Sequence, residues 1–460
     1  MLDNVFIIKR QSQVKALGAE LKLSIIRDLM EEALTCQQLA DRLDTSKQKV
    51  HYNLKSLLGE DLINQIDEIG NDKEKHYRAK ARNYLIDFSL GNEVDSEFNN
   101  GNRALITKII EQEYGLDLGK IAQGIVNSSL KLQRDEKVLI VTGRFNLPLV
   151  ERIQKAVVEL GAEATILYRD QEFLRSKHEE FSIEAFQQDY ENFNRILSEH
   201  DVYLYLNGES RYISTEDEEK QKLRQEAQMK SLQVIRENEI RVVMMPGLLN
   251  DDLNEDNIKR EISFWQALDV DYEKLREETD TLIKEFSDSE EIVIRKQGSE
   301  FRAKIGRIFG EYGSFGDSEY QSSTINLPGG EVLLIPQKGS VSGTIRGSKA
   351  YINGRLVIKP VVEIIDNRIV SYKAEKQAEL IEEAVREGGE DGAEIAMICL
   401  GTNYRIETDS EDLQYVNKSK GLLTVYWGNN TMMGGDVKGL LEWQIQIERP
   451  IINKGERRRL

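Results

Sequence analysis

The stretch from Asp44 to Glu60, DTSKQKVHYNLKSLLGE, decides how the front of the chain folds. Asp44-Thr45-Ser46 supplies turn and N-cap chemistry, so a helix is predicted to begin directly after it. Helical periodicity places the apolar residues on one side, at Val50, Leu54, Leu57 and Leu58. Polar residues occupy the start and the opposite side: Ser46, Lys47, Gln48, His51, Tyr52 and Lys55. This exposed face has the shape and chemistry to enter a major groove.

The segments on either side complete a small domain. Apolar residues recur every three or four positions from Val14 to Leu29, which predicts a first core helix, and Leu39, Ala40 and Leu43 predict a short second one after Thr35. Leu62–Ile69, a Gly70-Asn71-Asp72 turn and Lys75–Arg82 predict a β-hairpin. Period-2 alternation in its second strand assigns four basic residues to one face: His76, Arg78, Lys80 and Arg82.

Three helices followed by a basic hairpin resemble the winged helix-turn-helix of ArsR-like bacterial regulators. The resemblance implies that the third helix reads base edges in double-stranded DNA and that the hairpin, the wing, touches phosphates. The wing residues expected to bind DNA are Lys75, Arg78 and Lys80. The alternative is a small helical domain whose polar helix face is simply solvated. His51 by itself is compatible with either interpretation.

Charge is distributed unevenly along the chain. Residues 1–82 hold 14 Lys and Arg against 13 Asp and Glu, a net charge of +1, so the rest of this 460-residue chain of net charge −18 carries −19. Any DNA contact is therefore expected to be local. Cys36 and Cys399 have no zinc-type spacing, so both are expected to be free thiols. The sequence also lacks a signal-peptide pattern and a long apolar run, so we predict a cytoplasmic protein without membrane contact.

The remaining sequence predicts an α/β fold with α+β parts. We expect residues 1–82 to form the winged helix, 83–102 a connector, 103–290 a doubly wound α/β lobe and 291–460 a β-rich lobe. Strand signals in the α/β lobe occur at 138–141, 164–168, 202–206 and 241–245, with a solvated helix at 215–241. No glycine-rich phosphate loop follows any of them, so no nucleotide cofactor is predicted. The β-rich lobe shows hairpin turns at Asn353-Gly354 and Asp366-Asn367 and one helix near 373–386.

Four motifs in residues 120–455 resemble the M29 metallo-aminopeptidases of the aminopeptidase T type. They are Gly298-Ser299-Glu300-Phe301, Asn326 to Val332 (NLPGGEV), Leu400-Gly401-Thr402-Asn403, and Gly428-Asn429-Asn430 through Gly434-Gly435. The resemblance implies a two-metal site built from two glutamates, two histidines, a tyrosine and an aspartate. Glu331 matches the first glutamate, and the other five positions carry substitutions: Met397, Thr424, Thr431, Glu442 and Gln444.

Two metal ions need several anionic or imidazole ligands, which Glu331 cannot supply alone. We therefore expect no metal, no cofactor and no catalytic residue. An oxygen-only site that joins Glu442 to Glu331, Asp436 or Glu394 is the remaining possibility for a hard cation. The histidines of the body, His178 and His200, do not have the spacing of a zinc motif.

The resulting hypothesis is a homodimeric transcriptional regulator with an inactive aminopeptidase-like body that dimerises and senses a small-molecule or peptide effector. The candidate effector site consists of Glu331, Met397, Thr424, Trp427, Thr431, Glu442 and Gln444. The rival hypothesis is a divergent metal-dependent hydrolase with an appended DNA-binding module. A third is a body that only dimerises the DNA-binding arms.

Overall fold

The computed structural model describes residues 3–8, 10–66, 74–86, 107–108, 110–143, 146–169, 171–206, 218–246, 255–316, 324–408 and 415–454. The chain forms two compact units. The front unit comprises Met1–Gly115 with Asn250–Lys259, and the body comprises Leu116–Leu249 with Arg260–Leu460.

The front unit is built from helices and short strands. In chain order they are β1 (Asp3–Ile8), α1 (Gln11–Leu17), α2 (Glu20–Glu31), β2 (Leu34–Thr35), α3 (Cys36–Arg42), α4 (Lys47–Gly59), β3 (Ile63–Ile66), β4 (His76–Ala79) and β5 (Ala81–Ile86). Strand order β2-β4-β3 makes a small sheet beside the helices. Apolar residues of α2, α3 and α4 share one core, in which Ile25, Leu29, Leu39, Val50 and Leu57 are buried. The predicted second helix, third helix and hairpin strands are confirmed.

Two details of the front unit differ from the prediction. The first helix is not continuous, because it ends at Leu17 and α2 starts at Glu20; Gly18 between them has a low helix propensity. The last strand also ends earlier than predicted, at Ala79, and β5 pairs with β1 in parallel instead. The predicted Gly70-Asn71-Asp72 turn and most of the predicted connector lie outside the described residues.

The first part of the body alternates helices and strands. Its elements are α5 (Leu118–Gly124), β6 (Lys137–Thr142), α6 (Leu147–Leu160), β7 (Glu163–Tyr168), α7 (Gln171–Glu179), α8 (Ile183–Leu197), β8 (Val202–Leu206), α9 (Glu218–Glu237), β9 (Arg241–Met245), α10 (Glu255–Leu268) and α11 (Tyr272–Ser287). All four strands run parallel, as predicted. A fifth parallel strand, β12 (Thr324–Asn326), pairs with β9. This strand comes from the sequence assigned to the β-rich lobe, so the parallel sheet also includes a segment beyond residue 291.

The second part of the body is an antiparallel sheet of twelve strands within the described residues. They are β10 (Glu291–Lys296), β11 (Ser299–Glu311), β13 (Glu331–Pro336), β14 (Ser342–Arg346), β15 (Lys349–Ile352), β16 (Arg355–Ile358), β17 (Val361–Ile365), β18 (Arg368–Lys373), β19 (Ile395–Gly401), β20 (Leu422–Asn429), β21 (Lys438–Glu448) and β22 (Ile451–Lys454). The path that carries the candidate site runs β15-β21-β20-β19-β13-β11. One face of it packs into a core with α11 and with α12 (Glu379–Glu387).

The turns of the β-rich lobe follow the sequence signals. Asn353-Gly354 joins β15 to β16, with φ values of 51° and 73°, and Asp366-Asn367 joins β17 to β18, with φ values of 52° and 70°. Positive φ at both central residues is the requirement of a type I′ two-residue hairpin turn. Helix α12 starts at Glu379, later than predicted, because residues up to Lys373 belong to β18. No helix of the described chain is long and apolar enough to cross a membrane.

Candidate functional site

Helix α4 presents the polar face that the sequence predicts. Its inner residues Val50, Leu54 and Leu57 are at most 1% exposed. Every predicted contact residue of the helix and its cap is exposed: Ser46, Lys47, Gln48, His51, Tyr52 and Lys55. Lys49 is exposed as well. Tyr52 is 74% exposed, so its ring is accessible to a partner.

Neighbouring contacts fix this helix in the front unit. The Ser46 hydroxyl accepts a hydrogen bond from the Lys49 backbone N–H at 3.4 Å, so Ser46 acts as the N-cap. The Lys22 ammonium group donates to the Ser56 hydroxyl at 2.9 Å and ties α2 to α4. The outward face is therefore carried on a rigid element rather than on a loop.

The hairpin is less basic on its surface than predicted. Lys75 is exposed and Arg78 is partly exposed. Lys80, in contrast, forms an ion pair with Asp61 and lies over the Phe6 ring, 5.1 Å from its centroid. His76 is buried, with its Nδ1 2.9 Å from the Glu74 carbonyl oxygen. His76 is therefore not part of the exposed basic surface, although it shares a side of β4 with the partly exposed Arg78.

In the body, strand register brings one set of side chains onto the face of the antiparallel sheet that lies opposite the core. Leu333 pairs with Cys399, Cys399 with Thr424, and Thr424 with Gln446. Glu331 lies two residues before Leu333 and so shares its side of the sheet. The same alternation defines what we call the cleft face: Glu331, Met397, Cys399, Thr424, Tyr426, Glu442, Gln444 and Gln446.

Glu331 is buried on the cleft face and is held by protein partners. Its carboxylate accepts a hydrogen bond from the Asn417 side-chain amide at 3.0 Å and lies 3.6 Å from the Lys418 ammonium nitrogen. The Glu331 and Lys418 side chains are only 8% and 5% exposed. Lys418 also donates to the Pro328 carbonyl oxygen at 2.8 Å. Burial raises the pKa of Glu331, and the Lys418 charge opposes that rise.

These surroundings do not fit a two-metal site. The Lys418 ammonium group lies 3.6 Å from the Glu331 carboxylate, where its positive charge disfavours a second cation, and Met397 and Thr424 are poor ligands for divalent ions. Glu394, one partner considered for an oxygen-only site, pairs with Arg368 at 3.2 Å. Among the described residues, no group of three or more His, Cys, Asp or Glu side chains could hold a metal ion.

Two residues assigned to the candidate effector site lie elsewhere. Trp427 is on the core side of β20, 1% exposed and stacked on Trp443 with ring centroids 4.2 Å apart. Neighbouring residues of a strand point to opposite sides, so Trp427 cannot share a face with Tyr426. Thr431 is exposed in a short 3-10 helix after β20, where its hydroxyl donates to the Asn429 side chain at 2.7 Å. The sequence motifs located Trp427 and Thr431 along the chain, but they did not indicate to which side of the sheet the side chains point.

The cleft face also lacks an activated nucleophile. Burial raises the pKa of the Cys399 thiol, and the negative charge of Glu331 raises it further. Burial likewise raises the pKa of the Tyr426 hydroxyl, so both groups are protonated at neutral pH. A thiolate is the reactive form of cysteine, and no local base or cation lowers the pKa of this one sufficiently.

Sequence inspection missed Lys418 and Asn417, the two partners of Glu331. They follow the motif Leu400–Asn403 by about one loop, in a short 3-10 helix at Val416–Lys418. The only sequence signal was a lysine between an asparagine and a serine, which is typical of an exposed turn.

Comparison with known proteins matches two segments of the chain. Residues 17–66 match the model of a helix-turn-helix domain, and residues 116–244 match that of the thermophilic metalloproteases (M29). AmpT from Thermus thermophilus is 17% identical with a TM-score of 0.54, over 74% of this chain and 98% of that one. 2,5-Dihydroxypyridine dioxygenase from Pseudomonas putida KT2440 is 16% identical with a TM-score of 0.50, over 73% and 93%. No curated protein matches the chain.

The structural likenesses show the fold of the body alone. One of these two proteins is named as a dioxygenase, so the fold hosts more than one chemistry and cannot by itself assign an activity. The function has to be argued from the residues that the chain places on that fold.

Proposed function

The chain joins a helix-turn-helix domain to a body with the M29 metalloprotease fold, and we propose that it is a DNA-binding transcriptional regulator whose body has no peptidase activity. In this proposal the body is the dimerisation platform and the sensor of a small-molecule or peptide effector. The observation that carries the proposal is the contrast between the exposed basic face of α4 and the buried Glu331–Lys418 pair.

Local positive charge suits the front unit to DNA. Lys47, Lys49 and Lys55 are exposed along α4 together with Tyr52 and Gln48. Lysines contribute phosphate contacts, while amide and aromatic side chains are suited to base edges and thymine methyl groups. The −19 charge of residues 83–460 opposes DNA elsewhere on the chain, so the front unit is the part suited to bind it.

The partners of Glu331 disfavour peptidase activity. A metallopeptidase uses its ligand carboxylates to hold a cation that lowers the pKa of water. Here the same carboxylate is paired with Lys418, and a second cation would have to displace that ammonium group from a buried position. The electrostatic cost of two neighbouring cations disfavours metal binding.

The dimer is proposed from what DNA recognition requires. Two copies on a two-fold axis would place two α4 helices about one helical turn apart along the DNA, which suits a palindromic operator. An effector bound by the body would control transcription only if it bound the DNA-competent and DNA-incompetent arrangements with different affinity.

The test of DNA binding is selection from a random pool of DNA duplexes with the full-length protein. We expect an enriched palindromic sequence, and much weaker enrichment with the variant Lys47→Ala/Tyr52→Ala/Lys55→Ala. Lys15→Ala, which removes an exposed lysine of α1, is the matched control and should select the same sequence. Failure of the wild-type protein to enrich any sequence would contradict the proposal.

The rival hypothesis, a divergent metal-dependent hydrolase, is tested on the same preparation. Aminoacyl p-nitroanilides are supplied with added Zn²⁺ or Mn²⁺, and Glu331→Gln is the comparison. Turnover by the wild-type protein that disappears in Glu331→Gln would favour the enzyme. We expect equal, background-level release of nitroaniline from both.

A further inference from the structure

Two buried polar groups on the cleft face have no hydrogen-bond partner in the part of the chain that the structure describes. They are the Thr424 hydroxyl and the Gln446 side-chain amide nitrogen. Thr424 is 0% exposed and Gln446 is 3% exposed. Buried polar groups are nearly always hydrogen-bonded, and an unpaired one costs about 1–3 kcal/mol. Two such groups side by side indicate a place where another molecule completes the bonding.

Strand register sets these two groups next to each other. Thr424 and Gln446 are direct partners in the antiparallel pairing of β20 with β21, so their side chains are neighbours on one face. Exposure then increases along the same face: Gln444 is 7% exposed, Met397 and Tyr426 are half-buried, and Glu442 is exposed. The polar pair therefore forms the inner end of a surface that reaches solvent beside Glu442.

The charged side chains around this surface bear on the charge of the group that it would bind. Lys418 is the cation nearest to Glu331, and its charge is already matched by that carboxylate. Glu442 adds a negative charge where the face meets solvent. Glu442 would repel an anionic ligand at the solvent end of the face, whereas Lys349, the half-buried strand partner of Gln446, would attract one at the inner end. A neutral group that both donates and accepts meets Thr424 and Gln446 without needing a counter-charge.

The hydrogen-bonding pattern narrows the choice further. The Gln446 amide nitrogen donates, and the Thr424 hydroxyl can either accept or donate. A primary carboxamide presents an acceptor and a donor along one edge, so it satisfies both groups at once. The match is unchanged if the Gln446 amide is turned over, because an amide offers its donor and its acceptor side by side.

We propose that the cleft face binds a small molecule through a neutral primary carboxamide, which hydrogen-bonds to Thr424 and Gln446 while the rest of the ligand lies against Met397 and Tyr426. Binding at this surface stands independently. Only its consequence, a change in DNA affinity, rests on the proposed function.

The experiment uses two matched pairs of probes with the full-length protein: leucinamide against leucine, and nicotinamide against nicotinate. Binding is measured by calorimetry and by the shift in Tm. We expect at least one carboxamide to bind and to raise the Tm, and its carboxylate partner to bind at least tenfold more weakly.

Variants connect the binding to the two residues. Thr424→Val and Gln446→Leu each remove one hydrogen bond and should weaken carboxamide binding about three- to tenfold, while both remain folded because each unpaired group is replaced by an apolar one. Thr424→Ser retains the hydroxyl and should bind like the wild-type protein. Thr431→Val, on the exposed 3-10 helix, is the matched control and should leave binding unchanged.

Three outcomes would overturn the proposal: neither carboxamide binds, carboxylates bind equally well, or Thr424→Val and Gln446→Leu bind the carboxamide as tightly as the wild-type protein. Selection of DNA by the unliganded protein is measured separately. If the protein selects DNA but binds no carboxamide, the proposal of a regulator stands and only this ligand is excluded. If it binds a carboxamide but selects no DNA, the binding site stands and the proposal of a regulator is excluded.

Discussion

Helix α4 of the front unit and the cleft face of the body differ in how their charged side chains are exposed. On α4, Lys47, Lys49 and Lys55 extend into solvent. On the cleft face, Glu331 and Lys418 are both buried and neutralise each other. Exposed charges of one sign remain available to a partner of opposite sign, while a buried matched pair is satisfied within the chain.

This difference bears on the kind of partner that each part of the molecule is suited to bind. A charged partner suits the front unit, since its cations cost little to hold in water and gain from phosphates. On the cleft face, the Lys418 ammonium group already supplies a positive charge beside Glu331. The ligand that we propose for this face is instead bound by neutral hydrogen bonds to Thr424 and Gln446.

The largest effect is expected from removing the internal cation. Lys418→Met leaves Glu331 buried with only the Asn417 amide as a described partner, and it also removes the donor to the Pro328 carbonyl group. An uncompensated buried charge typically costs about 3–5 kcal/mol. We expect the free energy of unfolding of the body to fall by about this amount in urea denaturation.

The matched control lies two residues further on. Lys420 pairs with Glu278, but their side chains are 56% and 27% exposed, so Lys420→Met should cost less than about 1 kcal/mol. The double variant Glu331→Gln/Lys418→Met should recover most of the loss, since it leaves no unpaired charge. Equal stability of Lys418→Met and Lys420→Met would show that the buried pair contributes nothing special.

On the opposite side of the comparison, the lysines of α4 should affect DNA and leave folding intact. Each lysine that contacts a phosphate contributes about one unit to the slope of log affinity against log salt concentration. Lys47→Ala/Lys55→Ala should therefore weaken binding to the selected DNA and reduce that slope by about two. Fluorescence anisotropy across a salt series measures it.

Lys15→Ala is the control for the loss of an exposed lysine from the same unit. An identical slope in all three proteins would exclude phosphate contacts by α4. Thermal unfolding of the double variant should match the wild-type protein within about 0.5 kcal/mol, because both lysines are on the surface.

The sequence predicts those features of the fold and of the candidate site that depend on interactions between residues close together in the chain. Helix α4 follows from local signals: the N-cap at Ser46, the spacing of Val50, Leu54 and Leu57, and the polar opposite face. The hairpin turns at Asn353-Gly354 and Asp366-Asn367 follow from residues that tolerate positive φ. The parallel sheet follows from repeated short buried strands.

The failures are non-local. Strand β12 joins the parallel sheet from a distant part of the chain, and β5 pairs with the N-terminal β1. Likewise, motif matching placed Trp427 in the cleft, although the alternation of β20 directs it to the core. It also missed Lys418, whose position beside Glu331 depends on how the loop after β19 returns to the sheet.

Acid pH should protonate His178, a buried group that the body keeps neutral at neutral pH. His178 is buried, and burial lowers its pKa to about 4, assisted by the positive charges of Arg224, Lys177 and Lys220. The unfolded chain has the ordinary pKa of about 6.5, so it binds more protons between these two values. Stability of the body should therefore fall as the pH decreases from about 6.5 to about 4.

Denaturation at a series of pH values measures this contribution. His178→Gln lacks the titrating group and should lose on the order of 1 kcal/mol less than the wild-type protein across this range. A His200→Gln variant serves as the comparison for general loss of a histidine from the same lobe. If the wild-type protein and His178→Gln lose stability in parallel, other groups account for the acid sensitivity.

The smallest effect on DNA affinity is expected in the hairpin, where two lysines, Lys75 and Lys80, can be compared. Lys80 is paired with Asp61 and its side chain is 22% exposed, while Lys75 is exposed. We expect Lys75→Ala to weaken DNA binding severalfold and Lys80→Ala to change it less than twofold, since the charge of Lys80 is already balanced.

Asp61→Asn removes the balancing charge of Lys80 without changing the size of the side chain. It should release Lys80 and strengthen binding slightly at low salt, an effect that the added variant Lys80→Ala should cancel. If Lys80→Ala lost as much DNA affinity as Lys75→Ala, DNA would compete successfully with Asp61 for Lys80. A surface ion pair such as Lys80–Asp61 would then leave its lysine available to a partner, unlike the buried Lys418–Glu331 pair.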